Sequence, residues 1–273
     1  MACFGLADLV YKRAAGAGVP AHQLMMAQSW LFGPLVTLYG LATHTLAFNL
    51  ASLWGMVAGV FAYVGFYNFA RSLAGGAVSI NAPIFRLSFT LTALLAVLLL
   101  GESLGVAKIA GLACALVAVW LLLGSMRGVG PMDAKMRASL SRVLVATVAV
   151  GISNLIYKVG LIQGATPAPM LVTQASMVMS LSTIMTWRID GRLRFGRATA
   201  AHAAATAVLM TAAFVFLFEA LARGEASKLV PIAQMGFVVT ATVGFVFLRE
   251  PYTARKGIGL GFALAALAAL AYA

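Results

Sequence analysis

Of 273 residues, 62% are hydrophobic and only 10% are charged, with a mean hydropathy of +0.98. Soluble domains carry about 25% charged residues, so this chain lacks the polarity for a water-facing surface and reads as an integral membrane protein. Its net charge of +12 is no nucleic-acid footprint, because the lysines and arginines sit in short gaps between apolar runs, where they set topology.

The first apolar stretch begins at Met1 with no basic segment before it, and Lys12 and Arg13 follow it. A cleavable signal peptide is therefore not expected; either the first span is short or the chain begins upstream. Crossing a bilayer takes roughly 20 apolar residues as helix. That ruler predicts ten spans: 1–18, 22–42, 46–70, 77–100, 104–124, 139–163, 168–188, 197–222, 227–248 and 252–273. No segment alternates with period two, which argues against a transmembrane barrel. The longest polar stretch, GSMRGVGPMDAKMRASLS at 125–142, divides the chain. The expected organisation is a five-helix unit at 1–124, a connecting loop at 125–138 and a second five-helix unit at 139–273. Connections such as Gly101–Gly105, Thr166–Pro169 and Gly224–Ser227 leave no room for a soluble domain. Cys3 and Cys114 lie in apolar segments and read as free thiols.

The two units repeat each other. FGLADLVYK at 4–12 returns as VGISNLIYK at 150–158, 146 residues later. GESLGVAKIAGLACAL at 101–116 returns as REPYTARKGIGLGFAL at 249–264. Between these ends Gly76, Ser79, Pro83, Ile84 and Phe89 find Gly224, Ser227, Pro231, Ile232 and Phe237 at an offset of 148. Because five is odd, the second unit must run through the membrane inverted. Inverted repeats around one midplane site are a recurrent plan for secondary transporters.

The paired motifs carry a family likeness. A Tyr-Lys near the end of each first helix, FYNFA at 66–70, PIF at 83–85, LLGE at 99–102 and KIAG at 108–111 stand in order in the first unit. FLFEA at 216–220, PIA at 231–233, LRE at 248–250 and KGIG at 256–259 answer them in the second. This order resembles the EamA-type transporters of the drug/metabolite transporter superfamily. The resemblance implies a ten-helix all-α membrane fold and a proton-linked or facilitated transporter of small metabolites, often an exporter of amino acids. It also implies cytoplasmic termini. The charge pattern implies the reverse: the odd-numbered connections hold fourteen of the nineteen basic residues, which the positive-inside rule places in the cytoplasm.

Ionisable residues inside spans cost about 2.5–3.5 kcal/mol at the helix centre on insertion scales, so they normally face a cavity or a partner. Asp8, Arg86 and Glu219 are the candidates, with Asn68, Asn81, Asn154, Gln174 and Gln234 as neutral company. Arg86 follows Pro83 by three residues, as Gln234 follows Pro231, and a proline loosens the turn where a helix lines a cavity. Arg86 and Gln234 together could hold a carboxylate or phosphate; alternatively Arg86 pairs with Asp8 to fix packing. Asp8, Tyr11 and Lys12 share one helix face, which Asn154, Tyr157 and Lys158 reproduce. That face is either a cavity wall, with Asp8 a proton carrier, or a set of snorkelling lysines and belt tyrosines. Glu219 sits at i,i+4 from Arg223, a surface-like pair with proton coupling as the lesser reading.

The expected substrate-binding set is therefore Asp8, Tyr11, Tyr67, Asn81, Arg86, Asn154, Tyr157 and Gln234. Tyr63 and Tyr67 offer aromatic faces for a side chain or a cation. Glu102 and Glu250 are read as structural, accepting from the unpaired N–H groups of the following helix. Pro83, Pro231, Gly111 and Gly259 are read as structural too, and Gly55/Gly59, Gly111/Ala115 and Gly257/Gly261 have the spacing for close helix approach. No metal or cofactor is expected, and the partners are a small-molecule substrate and the bilayer, in a monomer or an oligomer. The histidines, His22, His44 and His202, fall near helix ends, and no HExxH or paired-carboxylate motif is present, so an intramembrane enzyme is disfavoured. A non-transporting scaffold or sensor would need a surface outside the bilayer that the short connections do not supply. Alanine- and glycine-rich helices point to a bacterial inner membrane.

Overall fold

The computed structural model describes residues 1–75, 81, 84–122, 134–236 and 254–272, and among these there is no strand. The helices are α1 (Ala2–Gly16), α2 (Ala21–Ala42), α3 (Trp54–Gly75), α4 (Ser88–Leu100), α5 (Val106–Leu122), α6 (Ala134–Ile162), α7 (Pro167–Asp190), α8 (Arg197–Arg223), α9 (Ala226–Gln234) and α10 (Ala254–Ala271). A single 3₁₀ turn, Leu50–Leu53, leads into α3. Among the described residues, five stretches are long and apolar enough to cross a membrane: Ala21–Ala42, Leu50–Leu73, Ala134–Ile162, Pro167–Asp190 and Arg197–Arg223. Ile84–Leu100, Val106–Leu121 and Gly257–Leu270 are shorter apolar helices. The expected ninth span enters as α9; its residues from 237 onward lie outside the described ones, as do Gly76, Ser79, Pro83, Glu250 and 123–133 of the connecting stretch.

Local chemistry sets the helix ends. Pro20 is extended ahead of α2, and Pro167 opens α7, a position that has no helical N–H to lose. Gly101 and Gly191 close α4 and α7 in the left-handed region, at φ 67° and 66°. Asn49 caps the 3₁₀ turn through a reciprocal pair with Ser52. Its amide also donates to the Gly164 carbonyl at 2.7 Å, tying the entry of α3 to the α6–α7 turn.

Among the described residues, several of the helix contacts recur when the two sets of five are exchanged, though others, such as α4 on α6, do not. Helix α3 lies on α6 and α7, and correspondingly α8 lies on α1 and α2; α2 meets α7, α4 meets α9 and α5 meets α10. Large apolar side chains such as Leu98, Trp120 and Phe216 are exposed on the outside, the surface a lipid solvent selects. Small residues set the closest approach. A Cβ on Gly55 would stand 2.1 Å from Thr173 Oγ1 and 2.2 Å from the Met170 carbonyl oxygen. One turn on, a Cβ on Gly59 would meet the Gln174 carbonyl oxygen at 2.9 Å. The Gly55/Gly59 spacing therefore seats α3 backbone-to-backbone against α7. Gly111 does the same for α5 against Leu270 of α10, and Gly259 is buried on α10.

Gly55→Ala should destabilise the protein by about 1–3 kcal/mol through overpacking, measured by denaturation in detergent. Gly261→Ala is the control: its Cβ would meet nothing within 4 Å, so that change should be neutral or slightly stabilising.

Candidate functional site

Three helical segments converge on one buried guanidinium. Arg86 lies in the helical turn that ends at Leu87, ahead of α4; Asp8 lies midway along α1; Gln234 is the last residue of α9. Arg86 is 2% exposed. Its Nη2 pairs with Asp8 Oδ2, and its Nη1 donates to Gln234 Oε1 at 2.6 Å. Its Nε–H is buried and has no partner among the described residues. Both sequence alternatives for Arg86 are thus present together: the ion pair with Asp8 and the bond to its repeat counterpart. Arg86 and Gln234 each stand at a helix discontinuity, the turns at Leu87 and at Met235, with Pro231 inside α9 three residues before Gln234. The Ile84 carbonyl beside Arg86 accepts from both the Leu87 N–H and Thr147 Oγ1, each at 3.0 Å, which ties this turn to α6.

Next to this cluster lies a narrow cavity of about 30 Å³, lined by Met25, Gln28, Ser29, Phe32, Ala62, Phe66, Gln174, Val178, Met210 and Phe214. Eight of the ten form repeat pairs. Gln28/Gln174 and Phe32/Val178 are 146 residues apart, and Ala62/Met210 and Phe66/Phe214 are 148 apart. The cavity therefore sits where the two units face each other. Phe214 is the hub of its wall, with edge contacts to Phe4, Phe32, Phe66 and Tyr157 at 5.6–6.2 Å between centroids. Phe66 also meets Phe85, the neighbour of Arg86, at 5.9 Å. Tyr11 Oη donates to Gln28 Oε1 at 2.6 Å, so one turn of α1 links the cavity to Asp8. Gln174 Oε1 is buried with no donor.

The remaining predicted residues divide between this site and the framework. Tyr11 and Tyr157 are 2% and 1% exposed, inside the bundle rather than in an aromatic belt. Asn154 is buried with its Nδ2 unpartnered. Tyr67 stacks on Tyr63 (5.5 Å, 8°) and carries the Arg71 guanidinium over its ring at 5.4 Å. It lines a cleft of about 460 Å³ at the basic end of the bundle, together with His22, Arg71 and Arg142. Asn81 Nδ2 instead bonds the Ser72 carbonyl and Ser139 Oγ at 3.0 and 2.8 Å, stitching α3 to α6. Glu219 accepts from Tyr39 and pairs with Arg223 at 2.8 Å, on an exposed edge.

Two framework residues differ from expectation in an informative way. Glu102 caps a helix of the other unit rather than the one that follows it: its two oxygens accept from the Ala226 and Ser227 N–H groups of α9, both at 2.8 Å. Lys108 pairs with Glu225 beside them and donates to the Ser103 carbonyl. Lys158, rather than snorkelling, donates to the Leu221 and Gly224 carbonyls at 2.9 and 2.5 Å, closing the C-terminus of α8. Sequence reading missed Gln28, Ser29, Phe66 and Phe214 as cavity residues; the signal was present in the offset, since Gln28 and Gln174 are aligned polar residues in otherwise apolar helices.

Apolar helices with lipid-type exposed side chains, enclosing a buried charged cluster and a small, largely apolar cavity, define a polytopic membrane protein. The comparisons agree. The model of the EamA-like transporter family matches residues 1–124 and again 139–272. The chain belongs to this family, within the drug/metabolite transporter superfamily, and is an integral multi-pass membrane protein. No curated protein matches it. Among solved structures, one described as "Crystal structure of protein" is similar in fold, at 16% identity and a TM-score of 0.77, covering 98% of this chain and 94% of its own.

The Arg86–Asp8 pair is open to a double-mutant cycle. Arg86→Met alone and Asp8→Leu alone should each cost about 3–5 kcal/mol, since each strands the other buried charge, whereas the double variant should lie near the parent. Chemical denaturation in detergent micelles reads this directly; additive losses would mean that the two groups are not coupled.

Proposed function

We propose that the protein is a secondary transporter that moves a small polar metabolite, an amino acid or a related organic acid, across a bacterial inner membrane by alternating access. Export is the proposed direction. The reading assigns ten membrane-crossing segments to two inverted five-helix units, with the binding site between them. The observation that carries it is the buried Arg86 guanidinium at a helix break, held by Asp8 of α1 and Gln234 of α9, with its Nε–H still free to donate.

A substrate carboxylate entering here meets a planar fork suited to bidentate binding. To take Nη2 together with the free Nε–H it must displace Asp8, and a displaced carboxylate in an apolar interior takes up a proton. Substrate binding and protonation of Asp8 are thereby linked, which gives the coupling. Gln28, Gln174 and the Phe66/Phe214 walls receive the rest of the solute. The cavity's present volume, about 30 Å³, holds a water or two, so this conformation is the substrate-free one on this reading. No enzymatic role is proposed.

Counterflow in proteoliposomes, with a mixture of labelled amino acids and organic acids, tests the reading. Arg86→Lys keeps the buried positive charge beside Asp8 but loses the fork, so exchange should fall at least about tenfold, one bidentate interaction's worth, while the unfolding midpoint stays near the parent's. Undiminished exchange in Arg86→Lys would reduce Arg86 to a packing residue, and no exchange by the parent with any solute or gradient would remove the transporter reading.

A further inference from the structure

The two units carry the same polar set but use it differently. In the first, Asp8 is bound to Arg86 and Tyr11 is bound to Gln28. Their counterparts 146 residues on are Asn154, Tyr157 and Gln174. There, Asn154 Nδ2 and Gln174 Oε1 are both buried without partners among the described residues, at 3% and 2% exposure of the residues. Tyr157 turns its ring onto Phe218, at 4.5 Å between centroids, and does not reach Gln174. The sequence thus supplies two identical Tyr–Gln pairs on the same helices of each unit, α1–α2 and α6–α7, and only one is made.

Sequence identity with structural asymmetry needs a cause. A buried carbonyl left without a donor costs about as much as a lost hydrogen bond or more, so Gln174 raises the free energy of this conformation. The same hydroxyl–amide pair is available to it one helix away, on Tyr157, at the register that works for Tyr11 and Gln28. Both glutamines also line the cavity between the units, so whichever is unbonded offers its amide to the solute space.

We propose that Tyr11–Gln28 and Tyr157–Gln174 are alternative states of one switch: the conformation seen here makes the first bond, and the opposite-facing conformation breaks it and makes the second. The inference rests on the alternating-access reading above and adds the contacts that tell the two states apart. Exchange of one bond for its twin keeps the two conformations close in energy, as a two-sided carrier requires, because each makes one tyrosine–glutamine bond, the Tyr157 hydroxyl leaving Ser153 to reach Gln174. It also hands the free carboxamide from Gln174 to Gln28 as the site turns over, so the solute meets an unoccupied amide from either side. The large cleft lined by Ala15, Tyr67 and Arg71 marks one end of the path, and the Glu102–Ser227 cap marks the other.

The test uses symmetric substitutions with opposite expected signs. Cys3 and Cys114 are replaced by alanine, and a reporter cysteine is placed at Ala15 or at Ser227. Labelling by a polar maleimide is then followed in nanodiscs, where both faces are accessible. Tyr157→Phe removes the Gln174 bond from the opposite-facing state and, from the conformation seen here, only the hydroxyl's contact with Ser153, which keeps its own bond to the Ala58 carbonyl. It should raise labelling at position 15 relative to 227 by up to about fivefold, the worth of one net hydrogen bond. Tyr11→Phe should shift the same ratio about fivefold the other way, and the double variant should return close to the parent.

Shifts in the same direction, or none, overturn the switch, since general damage has no reason to change sign between the two units. Glu102→Gln with Lys108→Gln loosens the capped end independently of the tyrosines. A reciprocal change at 15 and 227 in that variant, with the tyrosine variants silent, rejects the switch and leaves alternating access standing. If no variant moves the two reporters reciprocally, the two-sided reading itself fails and the switch with it.

Discussion

A guanidinium in an apolar bundle is the constraint around which this structure is arranged. Arg86 is 2% exposed, and an isolated ion in such surroundings is untenable without a counter-charge and hydrogen bonds. Asp8 supplies the first and Gln234 the second, and each comes from a different helix. The cluster therefore fixes where α1, the segment before α4 and the end of α9 meet. Helix breaks at Leu87 and Met235 stand beside these side chains, and Thr147 adds a second bond to the Ile84 carbonyl, which also accepts from the Leu87 N–H. A site of this kind is costly to the fold, and on the proposed function its unspent donor at Nε is what the substrate completes.

Around that centre the framework is held by two kinds of contact suited to lipid. Where helices must approach closely, glycine removes the side chain: Gly55 and Gly59 against α7, Gly111 against α10. Where helix ends would expose polar backbone, charged side chains cover it. Glu102 caps α9, Lys158 closes α8, and Arg255 donates to the Trp120 and Leu121 carbonyls near the end of α5. The acidic group sits at the positive end of a helix and the basic groups at negative ends, as the helix dipole favours. Glu102 and Lys108 do this across the two units, so the same contacts that finish a helix also lock one unit to the other.

Much of this was legible in the sequence, because its signals are of the kind that sequence preserves. Apolar runs and short connections gave the helices, and repeated motifs at an offset of 146–148 gave the correspondence that the packing of α3 on α6 and of α8 on α1 later displays. Arg86 and Gln234 were singled out by the same offset. What escaped was whatever depends on the third dimension. Glu102 is followed at once by α5, yet its partners are 124 and 125 residues away; proximity in sequence was a poor guide to which helix it caps. Asn81, polar and in an apolar setting, reads like a ligand-binding residue but bonds Ser72 and Ser139. Length was misleading too: α4 has only 13 residues, because the turn at Leu87 divides one apolar run into pieces.

The departure from symmetry is as informative as the symmetry. Duplicated units would be expected to settle into identical bonding if each folded alone, yet Asp8 faces Asn154, and Arg86 faces Gln234. The first unit holds both charges and the second holds their neutral isosteres, so a single ion pair forms where two opposed pairs would have repelled or competed. Placing both charges in one unit lets the other supply only hydrogen bonds, which are weaker and easier to exchange. The neutral partner thus becomes the adjustable half of the site: Gln234 can follow Arg86 through a small displacement, whereas a second carboxylate there would fix it. On the proposed function, a carrier needs a centre that is stable enough to fold and shallow enough to move, and dividing charge from amide between the repeats would serve both requirements with the same four positions.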